Sequence, residues 1–121
     1  MRSEKARIVI DFSRNLIRIH KTTIHTLGSP DYVLLVVDPI QKSIGIMNCP
    51  HKIKGAHKIA LNKDHSCELC SKPFITALRS EFHGFQNTSY AFDGEYLTEY
   101  NIVKFNICNS RPIKAIEVNK T

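Results

Sequence analysis

The pattern in this sequence that comes closest to a chemical motif is the spacing of three cysteines and the histidines between them. Cys49-Pro50-His51 is followed, after fifteen intervening residues, by Cys67-Glu68-Leu69-Cys70, with His57 and His65 in between. Tetrahedral zinc takes four sulfur or nitrogen ligands, and two ligands a few residues apart in a turn can hold it. Buried cysteines in a reducing compartment would give the same single C-x-x-C pair. We therefore assign no metal site, and a small zinc-stapled interaction module stays an alternative.

A second group of residues combines cations, flat rings and an amide around the end of a predicted helix. Aromatic faces stack on nucleobases, asparagine reads base edges, and arginine pairs with phosphate or pyrophosphate. Core packing explains Phe82 more simply, but it explains Arg79, His83 and Arg111 less well. The residues that form this candidate ligand-binding group are Arg79, Phe82, His83, Asn87, Tyr90 and Arg111.

A third group is basic and lies around a short helix predicted after Ile19. Arg14 and Arg18 precede this helix, and Lys21 lies in its first turn. A helix N-terminus flanked by cations can bind an anion through free N–H groups and guanidinium forks. The alternative is that Thr22 or Thr23 caps the helix while the arginines are solvated. Arg14, Arg18 and Lys21 are therefore a candidate second, basic site.

Composition favours an anionic partner and does not indicate an enzyme. Seventeen Lys and Arg residues against eleven Asp and Glu residues give a formal net charge of +6. Residues 39–63 contain five lysines and no acid. The sequence has no G-x-S-x-G, P-loop or H-E-x-x-H motif. We expect a binding protein without a cofactor, whose partner is a nucleotide or a nucleic acid.

The elements that must position these residues indicate an α+β fold in a small single domain, residues 1–121, with antiparallel strands, one short helix and one longer helix. An N-terminal strand–helix–hairpin unit spans residues 6–48, and a C-terminal unit of a helix plus strands spans 58–118. The strands of the first unit are predicted at Ala6–Phe12, Leu16–Ile19, Tyr32–Val37 and Ser43–Met47, and its helix ends at Gly28.

In the second unit, the longer helix is predicted from an N-cap at Ser71 to about His83. The strands are expected near 58–61, at 89–92 and 101–108 on either side of an Asp93-Gly94-Glu95 turn, and at an edge from 113 to 118. No stretch is long and apolar enough to span a membrane, and the charged N-terminus has no secretory signal pattern. We therefore expect a cytoplasmic protein.

The stretch from Arg7 to Ile46 resembles the N-terminal half of small proteins of Firmicutes and their prophages. The resemblance is carried by the basic strand Arg18–Lys21, by Leu27-Gly28-Ser29-Pro30 at the helix end, and by the Asp38-Pro39 turn. The Ser71-Lys72 start of the later helix, followed by two strands, also fits. Within that group the sequence is similar to the phage Thoeris anti-defence family of nucleotide sponges.

The resemblance implies a non-catalytic protein that sequesters cyclic ADP-ribose isomers, and so blocks bacterial TIR-based anti-phage defence in the host cytosol. It implies homodimers that can associate into larger rings, and cyclic trinucleotides as possible ligands of a separate basic site. On this basis the cleft near Phe82, Asn87, Tyr90 and Arg111 would hold the ADP-ribose ligand, and Arg14, Arg18 and Lys21 the second site. The main alternative is a DNA-binding transcriptional regulator whose N-terminal half resembles swapped-hairpin regulators.

Overall fold

The computed structural model describes residues 5–113. Within this range nine strands, two α-helices and one 3₁₀ turn are present. The strands are β1 (Ala6–Asp11), β2 (Leu16–Ile19), β3 (Tyr32–Asp38), β4 (Ser43–Cys49), β5 (His57–Lys58), β6 (Cys67–Cys70), β7 (Ser89–Leu97), β8 (Ile102–Asn106) and β9 (Arg111–Ile113). The helices are α1 (Lys21–Thr26) and α2 (Lys72–Glu81), and the 3₁₀ turn is Ile107–Asn109.

All strand pairs are antiparallel, and the sheet is almost closed into a barrel. The strand order is β5-β3-β4-β8-β7-β1-β2-β6, and β9 lies beside the first residues of β7. Beyond β5, Leu61 forms a bridge with Cys67 of β6, so the two ends of the sheet meet. The architecture therefore leans toward an all-β barrel with two helices, and it is compatible with the predicted α+β class.

Alternation along the strands places the core inside this barrel. Ile8 lies opposite Phe92 and Ile19, and Ile44 lies opposite Phe105, and all five side chains are fully buried. Because side chains alternate between the faces of a strand, the intervening residues point outward. Ser71 is the N-cap of helix α2, and its hydroxyl accepts the Phe74 N–H at 3.4 Å. The helix adds Phe74, Ile75 and Leu78 to the core.

Several predicted elements are confirmed, including both hairpins of the first half and both helices. The predicted turn at Asp93-Gly94-Glu95 is wrong, because β7 runs through it to Leu97. A Cβ on Gly94 would lie 2.6 Å from the Phe105 ring, so glycine here gives room to a neighbouring strand and does not make a turn.

The two predicted units are not separate in space. Strand β1 pairs with β7, β2 with β6, and β4 with β8, so each half of the chain supplies neighbours to the other. Residues 67–70, which lie in none of the predicted strands, form strand β6, and Arg111–Ile113 form the short strand β9. The edge strand predicted at 113–118 lies, beyond Ile113, outside the described residues.

Candidate functional site

The cysteines do not converge on a metal site. Cys67 and Cys70 are three residues apart in β6, so they point to opposite faces; Cys67 is buried and Cys70 is exposed. Burial raises the pKa of the Cys67 thiol. The buried Cys49 thiol donates to the His51 carbonyl at 2.9 Å. Residues 5–113 contain no cluster of three or more His, Cys, Asp or Glu side chains placed to bind a metal ion.

Arg79, the predicted phosphate ligand at the end of α2, is occupied by contacts within the chain. Its Nη2 donates to the Phe12 carbonyl at 3.2 Å and to the Asn87 side-chain oxygen, and Nη1 donates to the Phe85 carbonyl at 3.4 Å. The guanidinium carbon also lies 5.1 Å from the centroid of the Phe12 ring. These contacts connect α2 to the β1–β2 turn, which contains Phe12, and to the α2–β7 loop, which contains Phe85 and Asn87, so they assign Arg79 a role in packing.

The aromatic residues of the same group pack against one another. Phe85 stacks on Phe12 with 4.5 Å between ring centroids, and the Tyr90 ring meets both at an edge. The Tyr90 hydroxyl accepts the Gln86 N–H at 3.1 Å. Phe82 is partly buried against the core, and His83 is exposed. Ring contacts within the chain therefore account for the pattern that predicted base stacking.

Arg111 lies on the other face of the sheet from Tyr90. In the β7–β9 pair, Tyr90 lies opposite Pro112 and Ala91 opposite Arg111, and successive residues point to opposite faces. Arg111 Nη1 lies 3.1 Å from one Asp93 oxygen, and Arg7 Nε lies 3.0 Å from the other. Burial would raise the pKa of Asp93, but hydrogen bonds from the two arginines outweigh it and lower that pKa. One chain thus does not form the predicted six-residue cleft.

The predicted second basic site is also divided. Arg14 pairs with Asp11 at 2.8 Å and Arg18 pairs with Glu68 at 2.6 Å, both on the outer face of the sheet. Each guanidinium therefore has a carboxylate partner, which the sequence prediction did not include. Lys21 lies apart from them, on α1, and lines a cavity.

Two threonines fix α1 against the start of β1. The buried Thr23 hydroxyl accepts the Arg7 N–H at 2.8 Å and donates to the Arg7 carbonyl at 2.9 Å. The Thr22 hydroxyl donates to the Lys5 carbonyl at 3.0 Å. Neither threonine is the N-cap residue, which is His20. The hydroxyls thus hold α1 in place, with Ile24 turned into the core.

A cavity of about 540 Å³ lies beside this helix. Lys21, Thr22, Ile24, His25, Thr26, Ser29, Leu61 and His65 line it. Three of these side chains have basic nitrogens, three have hydroxyls, and none is acidic. A recess of about 280 Å³ adjoins the cavity through shared Lys21 and Thr22, and its other lining residues are Lys5, Arg7 and His20.

The far wall of the cavity comes from the turn that closes the barrel. The Asn62 N–H donates to the Ser66 carbonyl at 2.7 Å, and the His65 N–H donates to the Asn62 carbonyl at 2.9 Å. Asp64 accepts both the N–H and the hydroxyl of Ser66, and hydrogen bonds from Ser66 lower the pKa of this carboxyl. This turn carries Leu61 and His65, whose side chains face α1 across the cavity.

Comparisons with protein-family models, with curated proteins and with solved structures found no match. Sequence reasoning identified Lys21 but missed His25, Leu61 and His65 as parts of one site. The available signal for His65 was its place among the histidines that we interpreted as candidate metal ligands, and no pattern in the sequence identified His25. No helix among residues 5–113 combines the length and the hydrophobicity needed to cross a lipid bilayer.

Proposed function

We propose that the protein is a non-catalytic sponge that binds a cyclic nucleotide signal in the cavity beside α1 and sequesters it. The observation that carries this proposal is the cavity lining, which joins Lys21, His25 and His65 to apolar walls without an acidic side chain. The ligand class, cyclic ADP-ribose isomers or other cyclic nucleotides, comes from the sequence resemblance. Blocking of TIR-based anti-phage defence follows as the proposed biological effect.

The size and chemistry of the cavity suit such a ligand. About 540 Å³ lies within the range of small-molecule sites, which combine apolar walls with a few convergent polar groups. Leu61, which is 51% exposed, offers apolar surface to a base, and the buried Ile24 lies at the floor of the cavity. Lys21 is shared with the basic recess, so it can contact phosphate from either space. The net charge of +6 adds a long-range attraction for the anion.

Sequestration needs binding alone. A dissociation constant below 1 μM corresponds to roughly −8 kcal/mol or better. The pinning of α1 by Thr22 and Thr23 fixes the helix before binding, which reduces the entropy lost on association. Ligand held in the cavity cannot reach its effector, and we propose that it leaves chemically unchanged.

Calorimetric titration with cyclic ADP-ribose, followed by heat denaturation and mass spectrometry of the released nucleotide, tests this proposal. We expect one ligand per chain, recovered intact. Lys21→Ala should weaken binding by about tenfold, roughly 1.4 kcal/mol. Lys42→Ala, at an exposed lysine of the β3–β4 turn outside the cavity, is the matched control and should leave binding unchanged.

Hydrolysed nucleotide in the released fraction would instead indicate an enzyme, and the absence of binding would reject the sponge. Titration of duplex DNA under the same conditions tests the regulator alternative, which predicts tight binding that falls steeply with salt. The homodimer or larger ring that the resemblance implies is part of the same proposal, and light scattering measures it.

A further inference from the structure

Among residues 5–113, strand β3 has no strand partner on one side along most of its length. Its partner β5 pairs with Tyr32 and Val33 alone, whereas β4 pairs with every residue from Tyr32 to Asp38. The edge beyond Val33 thus faces a space between the sheet and α2. This space is a groove of about 500 Å³.

The hydrogen-bond pattern shows which backbone groups point into the groove. Asn48, opposite Val33 in β4, donates its N–H to the Asn101 carbonyl at 3.2 Å, away from β3. On the other side of β3, the Asp31 carbonyl accepts the Ile59 N–H at 2.8 Å. Because N–H and C=O of one residue point the same way and alternate along a strand, those of Leu35 and Val37 point to the open edge. Among residues 5–113 these four groups have no backbone partner.

The side chains around this edge form an apolar floor. Leu35 and Val37 line one side, and Pro73, Phe74 and Ala77 of α2 line the other. A strand edge facing a helix across an apolar groove is the arrangement in which peptides bind as an added strand. The distance from Leu35 to Val37 is about 7 Å, which sets the length of the contact at about three peptide residues.

Exposed lysines adjoin the groove-lining residues along the chain. Gly55 and Ala56 form its end wall, and they belong to residues 39–63, which contain five lysines and no acid. Lys54 and Lys58 flank this wall and are exposed, as is Lys72 at the start of α2. An occupant that complements the groove therefore carries negative charge beside apolar side chains.

We propose that this groove, defined by Leu35, Val37, Pro73, Phe74 and Ala77, binds an extended segment of a partner protein that carries alternating apolar residues and at least one acidic residue. The segment adds as an antiparallel or parallel strand to β3. Its backbone accepts hydrogen bonds from the N–H groups of Leu35 and Val37 and donates hydrogen bonds to their carbonyls. One of its apolar side chains lies against Phe74 and Ala77. The groove shares no lining residue with the cavity beside α1, so this binding is independent of the proposed sponge function.

Selection of a displayed library of random eight-residue peptides on the whole chain tests the proposal. We expect enrichment of peptides with alternating apolar residues and an acid. The best synthetic peptide should lose about tenfold or more in affinity with Ala77→Glu, which places a charge in the groove. Ser80→Glu, an exposed position of α2 outside the groove, is the matched control and should change affinity less than about twofold.

Hydrogen exchange on the unmodified chain gives a second readout that needs no variant. The bound peptide should slow exchange of the Leu35 and Val37 amides by about tenfold or more, because each gains a hydrogen-bond partner. Failure to enrich any such peptide, equal binding by both variants, or unchanged exchange would overturn the proposal. A concentration-dependent dimer that Ala77→Glu abolishes would also overturn it, because the occupant would then be a second copy of this chain.

Discussion

Thr23 of α1 and Arg7 of β1 exchange two hydrogen bonds through a single hydroxyl. The Arg7 N–H donates to Thr23 Oγ1 at 2.8 Å, and Thr23 Oγ1 donates to the Arg7 carbonyl at 2.9 Å. The Arg7 carbonyl also accepts the His20 N–H at 3.1 Å, so the hydroxyl supplies the partner of the Arg7 N–H and a second donor to the carbonyl. It thereby sets the position of the helix that lines the cavity.

Replacement of Thr23 by valine should therefore lower both stability and ligand affinity. The valine keeps the shape but leaves the Arg7 N–H without its hydrogen-bond partner, at a cost of about 1–3 kcal/mol, whereas the Arg7 carbonyl still accepts the His20 N–H at 3.1 Å. Urea unfolding measures this cost, and cyclic ADP-ribose titration measures the effect on the cavity. Thr98→Val, in an exposed turn, is the control, and equal stability of the two variants would contradict the role of Thr23.

The Arg79→Lys variant distinguishes nucleotide binding in the cleft predicted at the end of α2 from nucleotide binding in the cavity beside α1. Lysine cannot reproduce the fork that reaches the carbonyls of Phe12 and Phe85 and the side chain of Asn87, so we expect a loss of about 1–3 kcal/mol in unfolding free energy. Nucleotide affinity should stay unchanged in the folded variant. A large loss of nucleotide affinity with little loss of stability would indicate that the ligand binds in the predicted cleft at the end of α2.

Gly94→Ala should destabilise the barrel by overpacking. The added Cβ would lie 2.6 Å from two carbons of the Phe105 ring and 2.9 Å from Val103, and both of these side chains are fully buried in the core. We expect a loss of about 1–3 kcal/mol in chemical unfolding. Gly45→Ala is the comparison: its added Cβ would lie 2.6 Å from the end of the Ile102 side chain and 2.7 Å from Val36 Cγ2, and both of these side chains are partly exposed and can move toward solvent. A larger loss of unfolding free energy for Gly45→Ala than for Gly94→Ala would contradict this prediction.

The ion pairs of Asp93 predict a pH dependence of stability. Because its pKa is lowered in the folded chain, the ionised carboxylate stabilises the fold above its ordinary value of 3.8, and this contribution is lost as pH falls through the lower folded value. Asp93→Asn should destabilise the chain at neutral pH and make its loss of stability in acid less steep. Asp11, whose pKa is also lowered, keeps part of that dependence in the variant. Parallel pH profiles of unfolding free energy for the variant and the parent chain would contradict this prediction.

Local patterns predicted most of the elements but not how they pair. Alternation along Ala6–Asp11 and the Pro at the start of α2 are local signals, and both elements form where they indicate. Strand β6 was missed because Cys67 and Cys70 suggested metal ligands, although the buried–exposed alternation of the four residues is that of a strand.

The candidate site depended on contacts that spacing along the chain does not encode. Lys21 and His65 are far apart in sequence and meet only because the barrel closes at Leu61 and Cys67. Arg111 and Tyr90 were grouped by residue type, yet the register of β9 on β7 puts them on opposite faces. Ion pairs also form between neighbouring strands, as between Arg18 and Glu68. The sequence alone does not show that such a cation already has a carboxylate partner.

A titration of the isotopically labelled chain with cyclic ADP-ribose, followed by amide resonances, tests the central claim most directly. We predict that the shifted amides cluster at Lys21, Ile24 and His65, around the cavity beside α1. The absence of shifts, or shifts confined to Asn87 and Tyr90 at the end of α2, would contradict it.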